Sequence, residues 1–337
     1  MASNQTNISC KVNMHFTYVF LPTVYVMVFI FGLLANCFGL KTVYNNWTKL
    51  GNVNIFAMNL CIADILYLLT LPLLVTYYAK RQQWIFSQFL CKTTRFLFSI
   101  NLYGSIGFLM WISVYRYLAI IHPLKVKGRI KLLHSTGIAL LVWILVFILG
   151  LPDVYFDKSP SNMTKCFDTT LNEAMENYLI YSTAQTFTGF VIPLVVIVCC
   201  YGHVAVVLAT RKDSGDAMLK LRCLRLVVIL ALLFSICYIP YHIFRNLNLQ
   251  TRVWKLKQSH CRTWYAHVYI GNQVSNGLVC LNSVINPLVY LFNSDKLLVS
   301  CFTCVKLQPD STIFTRLNSP REIRESAKTE LSMTAHI

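Results

Sequence analysis

Seven apolar runs, each long enough to cross a bilayer, constrain this chain more than any other feature. They fall at 17–43, 54–79, 91–121, 134–152, 177–209, 223–248 and 265–292. A helix rising about 1.5 Å per residue needs roughly 20 apolar residues to span the hydrocarbon core. The runs take up most of the 337 residues and leave no room for a soluble catalytic domain. Only 13% of the residues are charged, against about 25% in a soluble domain. The expected fold is an all-α membrane protein, a seven-transmembrane helix bundle. Its N-terminal segment, 1–16, lies outside; the membrane domain is 17–292; a short cytoplasmic helix and tail occupy 293–337.

The start, MASNQTNISC, is polar and lacks a basic n-region, so the first span is expected to serve as its own uncleaved signal. An odd number of spans without an evident repeat fits a transporter poorly. A membrane enzyme would need a paired acid and base or a metal cluster within the spans; Asp64 is the one carboxylate expected at mid-membrane.

Lys and Arg concentrate in cytoplasmic loops. With the N-terminus outside, those loops hold Lys125, Lys127, Arg129 and Lys131, then Arg211, Lys212, Lys220, Arg222 and Arg225. The glycosylation sequons at Asn4, Asn7 and Asn162 then fall outside, and Asn46 falls inside. This topology explains much of the net charge of +17, which therefore points to membrane lipid and not to nucleic acid. The exceptions are outer cations: Lys80, Arg81, Arg252, Lys255, Lys257 and Arg262. They form either a solvated loop face or an electrostatic funnel for an anion.

Four of the thirteen cysteines, Cys10, Cys91, Cys166 and Cys261, lie at the outer face, which suggests two disulfides. Spacing does not choose among the three possible pairings. Cys301 and Cys304 follow the last span as palmitoylation candidates or free thiols.

Ionisable groups inside a membrane are expensive and usually functional. Asp64, Asn36, Asn282 and Asn286 sit within spans; they either hold a cation or waters, or only tie helices together. Nearer the outside, Arg95, Ser99 and Tyr103 recur at spacing four and share a helical face. His242 and Arg245 share another, just after Pro240, and Gln273 and Asn276 share a third. No acid is expected within the spans at this depth, and Asp168 is the nearest loop carboxylate. An unpaired buried cation costs several kcal/mol, in the range of roughly 3–5. A pocket completed by an anionic ligand is the economical reading, since guanidinium forks suit phosphate or carboxylate. The alternative for Arg245 is snorkelling to the headgroups.

An ordered set of motifs carries a resemblance across about residues 17 to 305. It comprises GLLAN with Asn36, NLCIAD with Asp64, Trp84 before Cys91, Tyr115-Arg116-Tyr117 followed by Pro123, Trp143, Pro193, Tyr238-Ile-Pro240, and Asn286-Pro-Leu-Val-Tyr290. The chain resembles a rhodopsin-like, class A G-protein-coupled receptor. Within that class WIFSQFLCK, RFLFSINLYGSIGFL, CFDTT and YIPYHIFRNLNL resemble the purinergic nucleotide receptors, the ADP-receptor branch, with the succinate and oxoglutarate receptors as near relatives.

The resemblance implies a plasma-membrane receptor, not an enzyme, for an extracellular anion such as ADP. Its partners would be a Gq-type heterotrimeric G protein, with receptor kinases and arrestin acting on the hydroxyl-rich tail. Cys91 would pair with Cys166, and Cys10 with Cys261. Asp64, Ser105, Asn282 and Asn286 would form a sodium and water site. Arg116, Tyr238, Pro240 and Tyr290 would form the G-protein switch. Arg95, Tyr103, His242, Arg245 and Gln273 would line the ligand pocket, with Asp168, Thr170 and Asn248 nearby. Three departures stand out. Tyr115 replaces the usual acid before Arg116, Tyr238 replaces the usual tryptophan, and Ser99 and Asn276 are uncharged where these receptors generally carry basic residues. The alternatives are a receptor for a dicarboxylate or other metabolite, or one that has lost the nucleotide site.

Overall fold

The computed structural model of the protein describes residues 15–45, 52–122, 131–160, 164–210, 217–258 and 262–287. The first span is α1 (His15–Asn45), and the second is divided into α2 (Asn52–Leu68) and α3 (Leu71–Ala79). The third is α4 (Gln88–Ile121) and the fourth α5 (Leu132–Tyr155). The fifth passes through α6 (Met175–Thr186), a π turn (Phe187–Val191) and α7 (Ile192–Thr210). The sixth is α8 (Ala217–Gln258) and the seventh α9 (Trp264–Ile285). Seven helical spans thus match the seven apolar runs. Five stretches among the described residues are long and apolar enough to cross a membrane.

The burial pattern is that of a bundle in lipid. Large apolar side chains such as Ile30, Leu34, Leu133, Ile148, Ile180 and Val198 face outward, while Asn36, Asp64, Asn101 and Ser283 are buried. Lipid is as apolar as leucine, so the outer face gains nothing by being hidden, and polar groups are satisfied between helices.

Two prolines set the shape of the end of the bundle that carries Cys91. Pro72 lacks an N–H and its ring crowds the carbonyl of Leu68, so the second span breaks where α2 ends. The Thr70 hydroxyl donates to the Tyr67 carbonyl at 2.7 Å across the break. The new direction carries Leu71, Leu74, Tyr77 and Tyr78 into a cluster with Trp84, Cys91 and Cys166. In the fifth span, Pro193 cannot donate to the Gly189 carbonyl, and the chain widens into the π turn. Gly189 there lies against Tyr103, where an added Cβ would stand 2.6 Å from the ring.

The sixth and seventh spans pair along much of their length. Gly271 permits it, because any Cβ there would overlap the Phe244 ring. The sixth helix runs ten residues past the expected end at 248, to Gln258. Cys91 and Cys166 are joined by a disulfide that holds the loop after α5 onto the start of α4. The expected Cys10–Cys261 pair, the sequons at Asn4, Asn7 and Asn162, Tyr290, Cys301 and Cys304 lie outside the described residues.

Candidate functional site

The Ser87 side chain caps α4 by accepting from the Leu90 N–H, 3.3 Å away. The helix then presents Arg95 and Ser99 to a narrow cavity at its Cys91 end. Arg245 and Tyr241 enter from α8, Asn276 from α9, and Asp168 from the loop after Cys166. Five of the ten ligand-contact candidates therefore line one space: Arg95, Ser99, Asp168, Arg245 and Asn276.

The other five are placed differently. Tyr103 lies one helical turn beyond Ser99, its ring 5.9 Å from that of His242. His242 stacks on Phe190 of the π turn at 4.3 Å, and its Nδ1 is 3.3 Å from the Thr186 hydroxyl. The Tyr103 hydroxyl and His242 Nε2 are buried with no partner among the described residues. Thr170 donates to the Asp157 carbonyl at 3.1 Å. Asn248 is buried, and its carbonyl accepts from the Thr251 hydroxyl at 2.8 Å. Gln273 is buried with its Oε1 unpartnered among the described residues.

Neither lining guanidinium has a carboxylate within ion-pair distance among the described residues. Arg95 donates from Nη2 to the Cys166 carbonyl at 3.0 Å, and its Nε has no partner among them. Arg245 donates to the hydroxyls of Tyr241 at 2.9 Å and Tyr178 at 3.0 Å.

The expectation that no acid lies within the spans at this depth is wrong. The fourth span does not stop at residue 152; α5 continues through Pro152 to Tyr155 and carries Asp153 into the bundle. Asp153 is 2% exposed and lines the cavity. Its Oδ2 accepts from the Ser99 hydroxyl at 2.5 Å. Its Oδ1 accepts from the Lys158 ammonium at 2.8 Å and the Tyr178 hydroxyl at 3.0 Å. Lys158 is fully buried. Burial pushes its ammonium below the ordinary lysine range, and the Asp153 charge pulls it back. The Tyr178 oxygen ties the set together, donating to Asp153 while accepting from Lys158 at 3.2 Å and from Arg245.

Two of the loop cations expected to form a funnel are tied down. Arg252 donates to the Thr169 hydroxyl at 2.5 Å, the Thr170 carbonyl at 3.3 Å and the Asn172 side-chain oxygen at 3.3 Å. Lys257 pairs with Glu176 at 2.9 Å. Lys80, Arg81 and Lys255 remain exposed.

Deeper in the bundle, Asp64 is fully buried. It accepts from Asn101 at 2.7 Å and from Asn286 at 3.0 Å and 3.2 Å. Asn286 also donates to the Ser105 hydroxyl at 3.3 Å, and Asn282 donates to Tyr238. Asn36 donates to the Ser283 carbonyl at 2.8 Å. The expected members Asp64, Ser105, Asn282 and Asn286 thus form one network with Tyr238. Asn101 belongs to it too, although the sequence reading does not include it. Its signal is a spacing of four from Ser105, which puts both on one face of α4. At the far end of α4, Arg116 is buried, and its Nε and Nη2 have no partner among the described residues.

Seven apolar-faced helices, a polar network around the buried Asp64 and an arginine at the opposite end from the Arg95 cavity describe a signalling bundle. The chain belongs to the rhodopsin family of seven-transmembrane receptors, matching it over residues 35–290. It is a receptor and not an enzyme, a multi-pass plasma-membrane protein that works between an extracellular ligand and a G protein. Within that class it is similar to purinoceptor 1 of Gallus gallus, 36% identical over 297 residues covering 87% of this chain and 82% of the relative. Purinoceptor 1 of Homo sapiens is 36% identical over 283 residues, 83% of this chain and 75% of the relative. Purinoceptor 4 of Rattus norvegicus is 35% identical over 290 residues, 85% and 79%.

Proposed function

We propose that this receptor is switched by an extracellular nucleotide, a diphosphate such as ADP in the first instance, and couples to a Gq-type G protein. One observation carries the reading. Arg95 and Arg245 are buried around a single cavity, and neither has an anionic partner within ion-pair distance among the described residues. An anionic ligand supplies the ion-pair partner that both lack among the described residues. The kinship with purinoceptors supports a nucleotide as that anion. The distribution of Lys and Arg supports an extracellular N-terminus.

In this reading Arg95, Ser99, Arg245 and Asn276 meet the ligand first, with Tyr103, His242 and Gln273 beneath. Thr170, Asp168 and Asn248 border the entrance. Asp64, bonded by the Asn101 and Asn286 amides, has the oxygen donors for a sodium ion together with Ser105, Asn282 and Asn286. Ligand draws the ends of α8 and α9 toward α4. The sixth span pivots near Pro240 and Tyr238, and the crevice beside Arg116 opens to the G protein, a shift between populated states. Receptor kinases and arrestin act on the C-terminal tail. A second reading, a receptor for a less charged metabolite such as a dicarboxylate, is favoured by the uncharged Ser99 and Asn276.

The test is G-protein dissociation and calcium release in transfected cells. The panel is ADP, ATP, UDP, UTP, succinate and 2-oxoglutarate, with wild type beside Arg245→Ala. Loss of a charge-assisted contact worth about 1.5–3 kcal/mol should weaken potency by about ten- to a hundredfold at unchanged surface expression. A succinate response without any nucleotide response would overturn the nucleotide reading.

A further inference from the structure

The cavity is charged differently from what its arginines alone suggest. Its lining holds two guanidiniums, Arg95 and Arg245, and two carboxylates, Asp153 and Asp168. The wall is therefore formally neutral. Asp153 is held there by a complete set of donors. Ser99 binds one oxygen, and Lys158 and Tyr178 bind the other. Lys158 is fully buried and does not line the cavity. The pair is thus a fixed dipole with its negative end toward the ligand space. A carboxylate only accepts hydrogen bonds, and so does a phosphate chain. The two therefore repel where they face each other across a poorly screened cavity.

We propose that Asp153, backed by Lys158, is a specificity-determining counter-charge that filters ligands by their number of negative charges. This rests on the cavity being the ligand site. The pocket favours anions of low charge, a nucleoside mono- or diphosphate ahead of a triphosphate, with a hydrogen-bond donor turned toward Asp153. Arg95 and Arg245 supply attraction for the first charges. Asp153 makes each further charge less rewarding. Ser99 donates its hydroxyl proton to the carboxylate and so faces the ligand with its oxygen as an acceptor.

The experiment measures thermal stabilisation of the purified full-length receptor across a charge series. The ligands are adenosine mono-, di- and triphosphate, with inorganic phosphate and pyrophosphate as probes that lack a nucleoside. Asp153→Asn adds one net positive charge to the site. It should strengthen binding by a factor that grows roughly three- to tenfold with each added ligand charge. Lys158→Gln leaves Asp153 uncompensated and should give the opposite slope. The double variant Asp153→Asn/Lys158→Gln restores the net charge and should return a slope near wild type, and it guards against a single variant that fails to fold. A purely structural role would weaken all ligands alike and would not reverse sign between the two single variants.

Equal shifts for mono- and triphosphate in every variant would overturn the filter even if nucleotides bind. If nucleotides fail but pyrophosphate follows the predicted slopes, the nucleotide reading falls and the filter stands. If no anion stabilises any variant, both fall.

Discussion

Removing Lys158 should destabilise the receptor more than removing Lys158 and Asp153 together. The ammonium is fully buried and sits 2.8 Å from a carboxylate that is itself 2% exposed. Breaking a buried pair from one side costs about 3–5 kcal/mol, because the charge left behind is uncompensated. For Lys158→Ala the cost should lie near the lower end, about 3 kcal/mol, since Asp153 keeps the Ser99 and Tyr178 hydroxyls as donors. For Asp153→Ala it should lie near the upper end, about 5 kcal/mol. Lys158 is then left with the Tyr178 hydroxyl, and the Arg245 guanidinium is bonded to that same oxygen. The double variant strands no charge and should cost about 1–3 kcal/mol, chiefly for lost packing. The assay is thermal unfolding of the purified receptor in detergent, as a double-mutant cycle. At about 2 °C per kcal/mol for a chain of this size, Lys158→Ala should melt about 6 °C lower and Asp153→Ala about 10 °C lower. The double variant should melt above both single variants. A double variant that loses the sum of the single losses would refute the coupling, and with it the account of why Lys158 is buried.

Two further outcomes are expected. Gly271→Ala should lower melting temperature and surface expression by an overpacking cost of about 1–3 kcal/mol, because its Cβ overlaps the Phe244 ring; Phe244→Leu should restore both, and a silent Gly271→Ala would show that the sixth and seventh helices separate at no cost. Tyr115→Asp places a carboxylate beside Arg116, whose Nε and Nη2 have no partner among the described residues. A new charged hydrogen bond of about 1.5–3 kcal/mol should lower ligand-independent GTP-analogue binding by about tenfold or more, and unchanged basal binding would remove Arg116 from the resting switch.

Hydropathy locates the helices because a bilayer demands long apolar runs, and the seven runs correspond to seven spans. Their internal geometry is less legible. The second span reads as continuous from 54 to 79, yet Pro72 divides it, and only the consequence of a missing N–H reveals the break. Arg95, Ser99, Arg245 and Asn276 converge as spacing and resemblance suggest. Asp153 escapes a sequence reading because it directly follows Pro152 and looks like the first residue of a loop. The readable signal is an acid one residue after a proline inside an apolar run, with Lys158 five residues on. His242 illustrates the opposite limit. Its three-residue separation from Arg245 places both on the inner side of the helix, but the π turn brings Phe190 against its ring. A turn that depends on one proline and one glycine leaves no mark on periodicity.

The sixth helix is a lever of unequal arms. With 42 residues it is about 63 Å long. If Pro240 is the fulcrum, Arg245 stands about 8 Å to one side and Arg252 about 18 Å, while Ala217 is about 35 Å to the other. A tug of about 1 Å at Arg245 therefore becomes about 2 Å at Arg252 and about 5 Å at Ala217, by similar triangles on that rise per residue. The first of those amplified displacements exceeds what the Arg252 hydrogen bonds to Thr169 and Asn172 tolerate. On that fulcrum the long arm would swing only as those bonds open, which would make the loop at 169–172 the element that sets the stiffness of the lever.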